Sequence, residues 1–436
     1  MIKPATAAVF LLSLGMLVFR CPPAEAQSPP ASAPMQAPSL ANPAGRYEQP
    51  PIVNLSVLLP ASVASGQGFS VQPQVPTNGA MGQYTIVANA SVFGSDAGTY
   101  YVESRDLLKI RLSEIPAIVQ LDNMSGSSVF TNALVSSAER PVAAASNMVM
   151  HPMDTVNGLP SGIGSFFGRV SLGVGQIASS ATSSFGSGQA AGQTGMATVN
   201  ALGYEQIRRD LAKRLNVDPY SSDPILTKKL NKVAWIMFSA RMTVSAAMMA
   251  VPGSMIISGV TFTNDLVYQT SKADLVLLVQ NKLQSMGLSP AEIAAFSTNT
   301  AIPLSLQVSA VQALQSLGEI PGRHAAAVEI GNVLTEYQAR FLVTSLQMLT
   351  QWSQQKSPIT QIQVLGVLVA TDQNGTTIVP APIDYLSWTQ RIAGFGTNPR
   401  LVALPNRVLW MPAKMTPLAR QQLSPNGWNV HEGAQP

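Results

Sequence analysis

KRLNVDPYSSDPILTKKLNKVAW, residues 213–235, reads as a helix, a tight connector and a second helix. Upstream, Glu205 to Leu215 has helical spacing, with Glu205, Arg208, Arg209, Asp210, Lys213 and Arg214 expected on the wet face. Asn216 tolerates the left-handed conformation that closes a helix. Asp218-Pro219-Tyr220-Ser221-Ser222-Asp223-Pro224 then supplies turn chemistry and a proline suited to the first position of the next helix. Further helices are expected at Ala273 to Met286, Pro290 to Phe296, Leu304 to Leu317 and Ala325 to Gln354, which gives a helical domain over 204–357.

On either side the period changes. After Pro358, Ile362 to Ala370 and Thr376 to Val379 read as strands joined through Asp372-Gln373-Asn374-Gly375, since Asn-Gly is a strong hairpin cue. Arg407 to Met411 and Trp428 to His431 read as strands, and Thr416 to Leu423 as a short helix. Residues 358–436 thus form a C-terminal α+β segment. Residues 54–150 read as a small α+β module, with strands at Phe69 to Val75, Tyr84 to Asn89 and Thr99 to Glu103. Ser104 then caps a helix with one apolar face. Phe130 to Met150 follows as broken helix. The fold class expected is α+β, predominantly α.

The first 26 residues read as a secretory signal peptide. Lys3 is the basic start, Ala5 to Phe19 carries no charge, and Ala24-Glu25-Ala26 offers a small-x-small cleavage pattern. Residues 27–53 are a Pro-rich tether that lacks the apolar groups to offset ordering entropy. Residues 151–203 are a Gly/Ser/Ala-rich linker, with an amphipathic helix weighed for 163–177. Met242 to Asn264 is uncharged, and Pro252-Gly253 at its middle favours a buried hairpin over a membrane span.

The connector and its two helices resemble a recurring element of exported bacterial proteins of uncharacterised activity. There a helix ending in Leu-Gly-Val-Asp runs into Pro-Tyr-Ser-Ser-Asn-Pro and a second helix. A Thr-Val-x-Gly-Leu-Pro stretch like Thr155 to Pro160 accompanies it, with a leader and a Ser-Pro-Leu-Ala-Arg-like tail. Asn216 and Asp223 depart from that pattern while keeping its turn preferences. The resemblance implies export and no particular activity.

Composition narrows the function. Charged residues are 11% of the chain, against roughly 25% in ordinary soluble proteins, and the formal net charge is +4. No window clusters Lys and Arg as a nucleic-acid groove demands, so nucleic-acid binding is excluded. The single cysteine, Cys21, lies in the leader, and Val18, Phe19 and Arg20 before it are not the small residues that lipid attachment requires. A chain cut after Ala26 then has no thiol for disulfides or cysteine chemistry.

Catalytic signatures fail on inspection. Gly173-Val174-Gly175-Gln176-Ile177-Ala178 matches the dinucleotide fingerprint by letter, but no buried strand delivers it to a helix and no acid follows at the right distance. His151, His324 and His431 are too scattered for a metal site, and no Gly-x-Ser-x-Gly elbow occurs. No cofactor is expected and no catalytic residue is assigned. One constellation in the C-terminal part, Asp384, Trp388, Arg420 and His431, with Tyr385 and Arg391 beside it, could line a cleft for an anionic or sugar ligand. Core roles for Trp388, Trp410 and Trp428 weigh against it.

The expectation is an exported envelope protein, periplasmic or extracellular, acting as an interaction or scaffolding protein on a protein partner or envelope component. Its oligomeric state stays open. Two alternatives stand beside it: a membrane-associated protein using 163–177 or 242–262, and an enzyme with a site assembled in the C-terminal α+β part.

Overall fold

A computed structural model describes residues 46–132, 196–245 and 265–433. The leader, most of the tether, residues 133–195 and residues 246–264 lie outside the described residues, and with them the 163–177 segment, His151 and most of 242–262. All described residues belong to one compact unit.

In the N-terminal part, β1 (Ile52–Asn54), β2 (Ser65–Gly66), β3 (Phe69–Val71), β4 (Gln74–Pro76), β5 (Gln83–Ala88) and β6 (Gly98–Glu103) form two antiparallel sheets, β1-β4 and β2-β3-β5-β6. The single strand expected over Phe69 to Val75 is thus two strands in different sheets. Pro73 lies between them and has no N–H to carry a ladder onward. The tether also ends earlier than expected. Glu48 donates its N–H to the carbonyl of Trp388 at 2.8 Å, and its carboxylate accepts from the hydroxyl of Thr416 at 2.7 Å and from the N–H of Trp388.

After β6, the Ser104 hydroxyl accepts the N–H of Leu107 at 3.2 Å and starts α1 (Arg105–Gly126), which continues through Pro116. Its face of Leu108, Leu112, Ile115, Ile118 and Leu121 enters one core with α3 (Pro224–Ser239), on which it packs, and α3 packs in turn on α2 (Met196–Arg214). Asn216 closes the α2 connection at φ 56°, and Asp223 caps α3 by accepting the N–H groups of Ile225 and Leu226. Two expectations change here. Helix α2 begins at Met196, inside the span assigned to the linker. Arg208 and Arg209 are buried, because α3 packs across their face; the Arg208 guanidinium donates to Asn231 at 2.6 Å and lies 5.8 Å from the ring centre of Tyr220.

The next helices are α4 (Lys272–Ser285), α5 (Pro290–Thr298), α6 (Leu304–Ser316), α7 (Arg323–Gly331) and α8 (Glu336–Gln355). Ala325 to Gln354 is therefore two helices. Gly331 packs under Phe296, and Thr335 caps a new start by accepting the N–H of Gln338 at 3.2 Å. The remaining strands are β7 (Ile359–Val364), β8 (Leu368–Asp372), β9 (Thr377–Pro380), β10 (Tyr385–Leu386), β11 (Arg407–Trp410), β12 (Lys414–Met415) and β13 (Asn429–His431). They are interleaved with α9 (Gln390–Gly396) and α10 (Pro417–Leu423). The five-stranded sheet has order β13-β11-β9-β8-β7, parallel from β9 to β13 and antiparallel from β7 to β9; β10 and β12 form a separate parallel pair. Ile362 to Ala370, expected as one strand, is a hairpin that turns at Gly366, where φ is 79°. The Asn374-Gly375 turn joins β8 to β9 as expected, with the Asp372 carboxylate accepting the N–H groups of Asn374 and Thr376.

The architecture is the expected α+β class with helix predominating. Two apolar cores hold it. The first joins β1–β6 to α1, α2, α3 and Tyr268; the second joins α4–α8 to the C-terminal strands and takes in Ala80 and Met81. No helix among the described residues is long and apolar enough to cross a membrane.

Candidate functional site

The four C-terminal candidates are not gathered round one cleft. Asp384 is buried and receives three backbone or phenol donors: the N–H of Gly82 at 2.9 Å, the hydroxyl of Tyr84 at 3.2 Å and the N–H of Arg105 at 3.0 Å. Burial pushes its carboxyl up to about 6, against the pull of those donors. Trp388 is buried against Gly396, where a Cβ would come within 2.9 Å of the indole. Arg420 is exposed and pairs with Glu432, and His431 is exposed on β13. Trp410 and Trp428 are core residues: Trp410 meets Trp352 edge-on at 5.2 Å, and the Trp428 indole N–H donates to the carbonyl of Gly396 at 2.8 Å. His324 is half-exposed and lies 3.3 Å from Glu292. No three His, Cys, Asp or Glu side chains among the described residues are grouped to hold a metal ion.

The 218–224 connector sits where the two cores meet. Arg111 of α1 reaches Glu114 at 2.8 Å, Glu336 of α8 at 3.1 Å, Ser221 at 3.3 Å and Ser222 at 2.5 Å. The Ser221 hydroxyl donates to Glu114 and the Ser222 hydroxyl to Glu336, while Arg340 holds Glu336 at 2.6 Å. Asp218 accepts the Tyr220 N–H at 2.8 Å and the hydroxyl of Ser305 on α6. Burial pushes Glu114 up to about 7, against Arg111. Burial also works against the charge of Glu336, but Arg340 and Arg111 prevail and hold it below the usual carboxylate range. The short Ser and Asp side chains suit this role: each spends its polar atoms within a few bonds of the backbone, so a seven-residue turn can bind three helices together.

What faces outward is β6. The N–H of Ser104 bonds the carbonyl of Gly82, which fixes the ladder phase: Tyr84↔Val102, Ile86↔Tyr100 and Ala88↔Gly98 are the pairs that exchange hydrogen bonds. The carbonyl of Thr85 turns the other way, toward Gln72 at 2.9 Å, in agreement. Thr99, Tyr101 and Glu103 consequently aim N–H and C=O away from β5, and no backbone partner meets them among the described residues. Tyr101 is 80% exposed. The strand is held rigidly from behind. Asp384 pins its root at Arg105; Lys229 of α3 grips Asp96 at 2.8 Å and Asp122 at 2.5 Å; and the Tyr100 hydroxyl donates to the carbonyl of Asp96.

Sequence reading located β6 but not its place at the sheet edge. The usable signal was the Gly-Thr-Tyr-Tyr-Val-Glu pattern, which alternates an apolar face with an outer one and carries neither the lysine nor the proline that commonly guards an edge. No family model, curated protein or solved structure matches the chain.

Proposed function

We propose that this is an exported envelope protein that acts as an interaction or scaffolding component, binding protein partners through strand addition. The supporting observation is the edge of β6, open among the described residues and braced from behind by Asp384 and Lys229. A strand laid along it gains main-chain hydrogen bonds without deforming the body, and Tyr101 and Thr99 offer side-chain contacts that select the partner. The C-terminal groups that would serve a ligand cleft are engaged within the fold, Asp384 by three donors and Arg420 by Glu432.

Photo-cross-linking in the producing cell tests this. A benzophenone amino acid at Thr99 or Tyr101 is expected to give protein adducts in the envelope fraction, whereas the same probe at the exposed Leu277 on α4 gives none above background. Edge probes that yield no adducts, or a protein that stays in the cytoplasm with its first residues uncut, would defeat the reading.

A further inference from the structure

Arg209 of α2 is 8% exposed, yet its Nε and Nη1 have no hydrogen-bond acceptor, and no carboxylate or ring among the described residues takes up its charge. A buried acid or histidine can escape such a position by changing its protonation state. A guanidinium cannot, because it stays protonated throughout the pH range in which proteins fold. An unpaired charge held out of water is costly, and an anion is what relieves it. The neighbouring Arg208 has no such need: it donates to Asn231 at 2.6 Å, lies 5.8 Å from the ring centre of Tyr220 and has Glu205 at 3.8 Å. Two more buried atoms without a hydrogen-bond partner belong to the same place, the Tyr220 hydroxyl of the 218–224 connector and Oε2 of Glu205. Burial pushes the Tyr220 phenol up while the charge of Arg209 beside it pulls the other way. Glu205 stands four residues before Arg209, on the same side of the helix.

We propose that Arg209, Tyr220 and Glu205 form a binding site for a small monocarboxylate that carries a hydroxyl or ammonium group next to its carboxylate. The carboxylate accepts from the Arg209 guanidinium, a charge-assisted bond, and from the Tyr220 hydroxyl. The ligand's own hydroxyl or ammonium donates to Oε2 of Glu205. A single negative charge is enough, since Glu205 already balances Arg208, and a phosphate dianion would bring a second like charge up to Glu205. The Glu205 side chain is 31% exposed and Tyr220 is half-buried, so the site is reached from solvent past these two, with Arg209 the deeper group. The site does not depend on strand addition at β6.

Calorimetric titration of the full chain with propionate, lactate and alanine tests this, because the three differ only in the substituent next to the carboxylate. Lactate or alanine is expected to bind saturably, about tenfold or more tightly than propionate, and to raise the melting temperature at constant ionic strength. Whichever of the two binds more tightly tells the hydroxyl from the ammonium. Glu205→Leu is expected to bring that preference over propionate close to parity. Arg209→Met separates a ligand site from an arginine that serves the fold alone. It is expected to lose binding of all three compounds while the ligand-free chain melts no lower than wild type, since an apolar side chain of similar reach replaces an unpaired buried charge. Three results would each overturn the inference: no saturable binding of lactate or alanine, propionate binding as tightly as both, or ligand-free Arg209→Met melting well below wild type.

Discussion

Gly322 stands at φ 86°, and the carbonyl oxygen of Ile362 lies 1.7 Å from the point its Cβ would occupy. The same spot carries the bond from the Ile362 N–H to the carbonyl of Pro321 at 2.9 Å, so the start of α7 is seated directly on β7. Neither backbone has a flexible end that could give way. Gly322→Ala is therefore expected to destabilise by roughly 3 kcal/mol or more, through strain at positive φ and displacement of β7 together. Urea unfolding measures it, and a loss under about 1 kcal/mol would show that the contact relaxes cheaply. Asp384 teaches a different lesson at this scale. Its neighbours in sequence, Tyr385 and Trp388, made it resemble a ligand-binding acid, whereas its actual partners are Gly82, Tyr84 and Arg105, hundreds of positions away. No local spacing encodes such a contact.

Among the elements, the helix starts were the most legible. Ser104, Asp223, Ser289 and Thr416 each cap a helix as their sequence context suggests, because a cap is settled within four residues. The break between α7 and α8 was not legible, although Gly331, Asn332 and Thr335 are all present. The apolar spacing persists across them, and what ends α7 is the packing of Gly331 under Phe296. Thr335 works with Gln338, whose side-chain oxygen accepts the N–H of Leu334 at 2.8 Å while its own N–H goes to the threonine hydroxyl. Thr335→Ala is expected to cost about 1 kcal/mol, measured by chemical unfolding, with Thr335→Ser close to wild type. Equal losses in the two variants would assign the effect to the lost methyl group instead. The hairpin at Gly366 escaped for a similar reason: the run through Leu365, Val367 and Leu368 is apolar on both sides of the turn, so periodicity alone cannot mark the fold-back.

For the whole molecule the polar junction between the cores sets a pH response. Glu114 and Asp384 are pushed up by burial to about 7 and about 6. The unfolded chain releases these protons near pH 4, so from there to about pH 7 the folded molecule holds more protons than the unfolded one. Stability accordingly falls as pH rises through this window. The contribution is complete below about pH 4 and gone above about pH 7. Glu336, held low, acts in the opposite sense only below its unfolded value, outside the window. Thermal unfolding at constant ionic strength is expected to give a melting temperature a few degrees higher at pH 5 than at pH 8, and Glu114→Gln flattens part of that slope. A melting temperature that rises between those pH values would show that Arg111 keeps Glu114 ionised throughout.

The seat of Glu48 on Trp388 and Thr416, together with the placement of Ala80 and Met81 in the second core, ties the chain's early part to its last. Contacts of such sequence separation make contact order high and closure slow, since a long loop must be ordered before any of them forms. A chain emerging amino end first can bring β1–β6 together with α1, α2 and α3, but Glu48, Ala80 and Met81 wait for residues 384–416 to receive them. Completion of the second core is withheld until the carboxyl end arrives, so a chain stopped short of residue 384 would keep its first core and leave Glu48, Ala80 and Met81 without their seats.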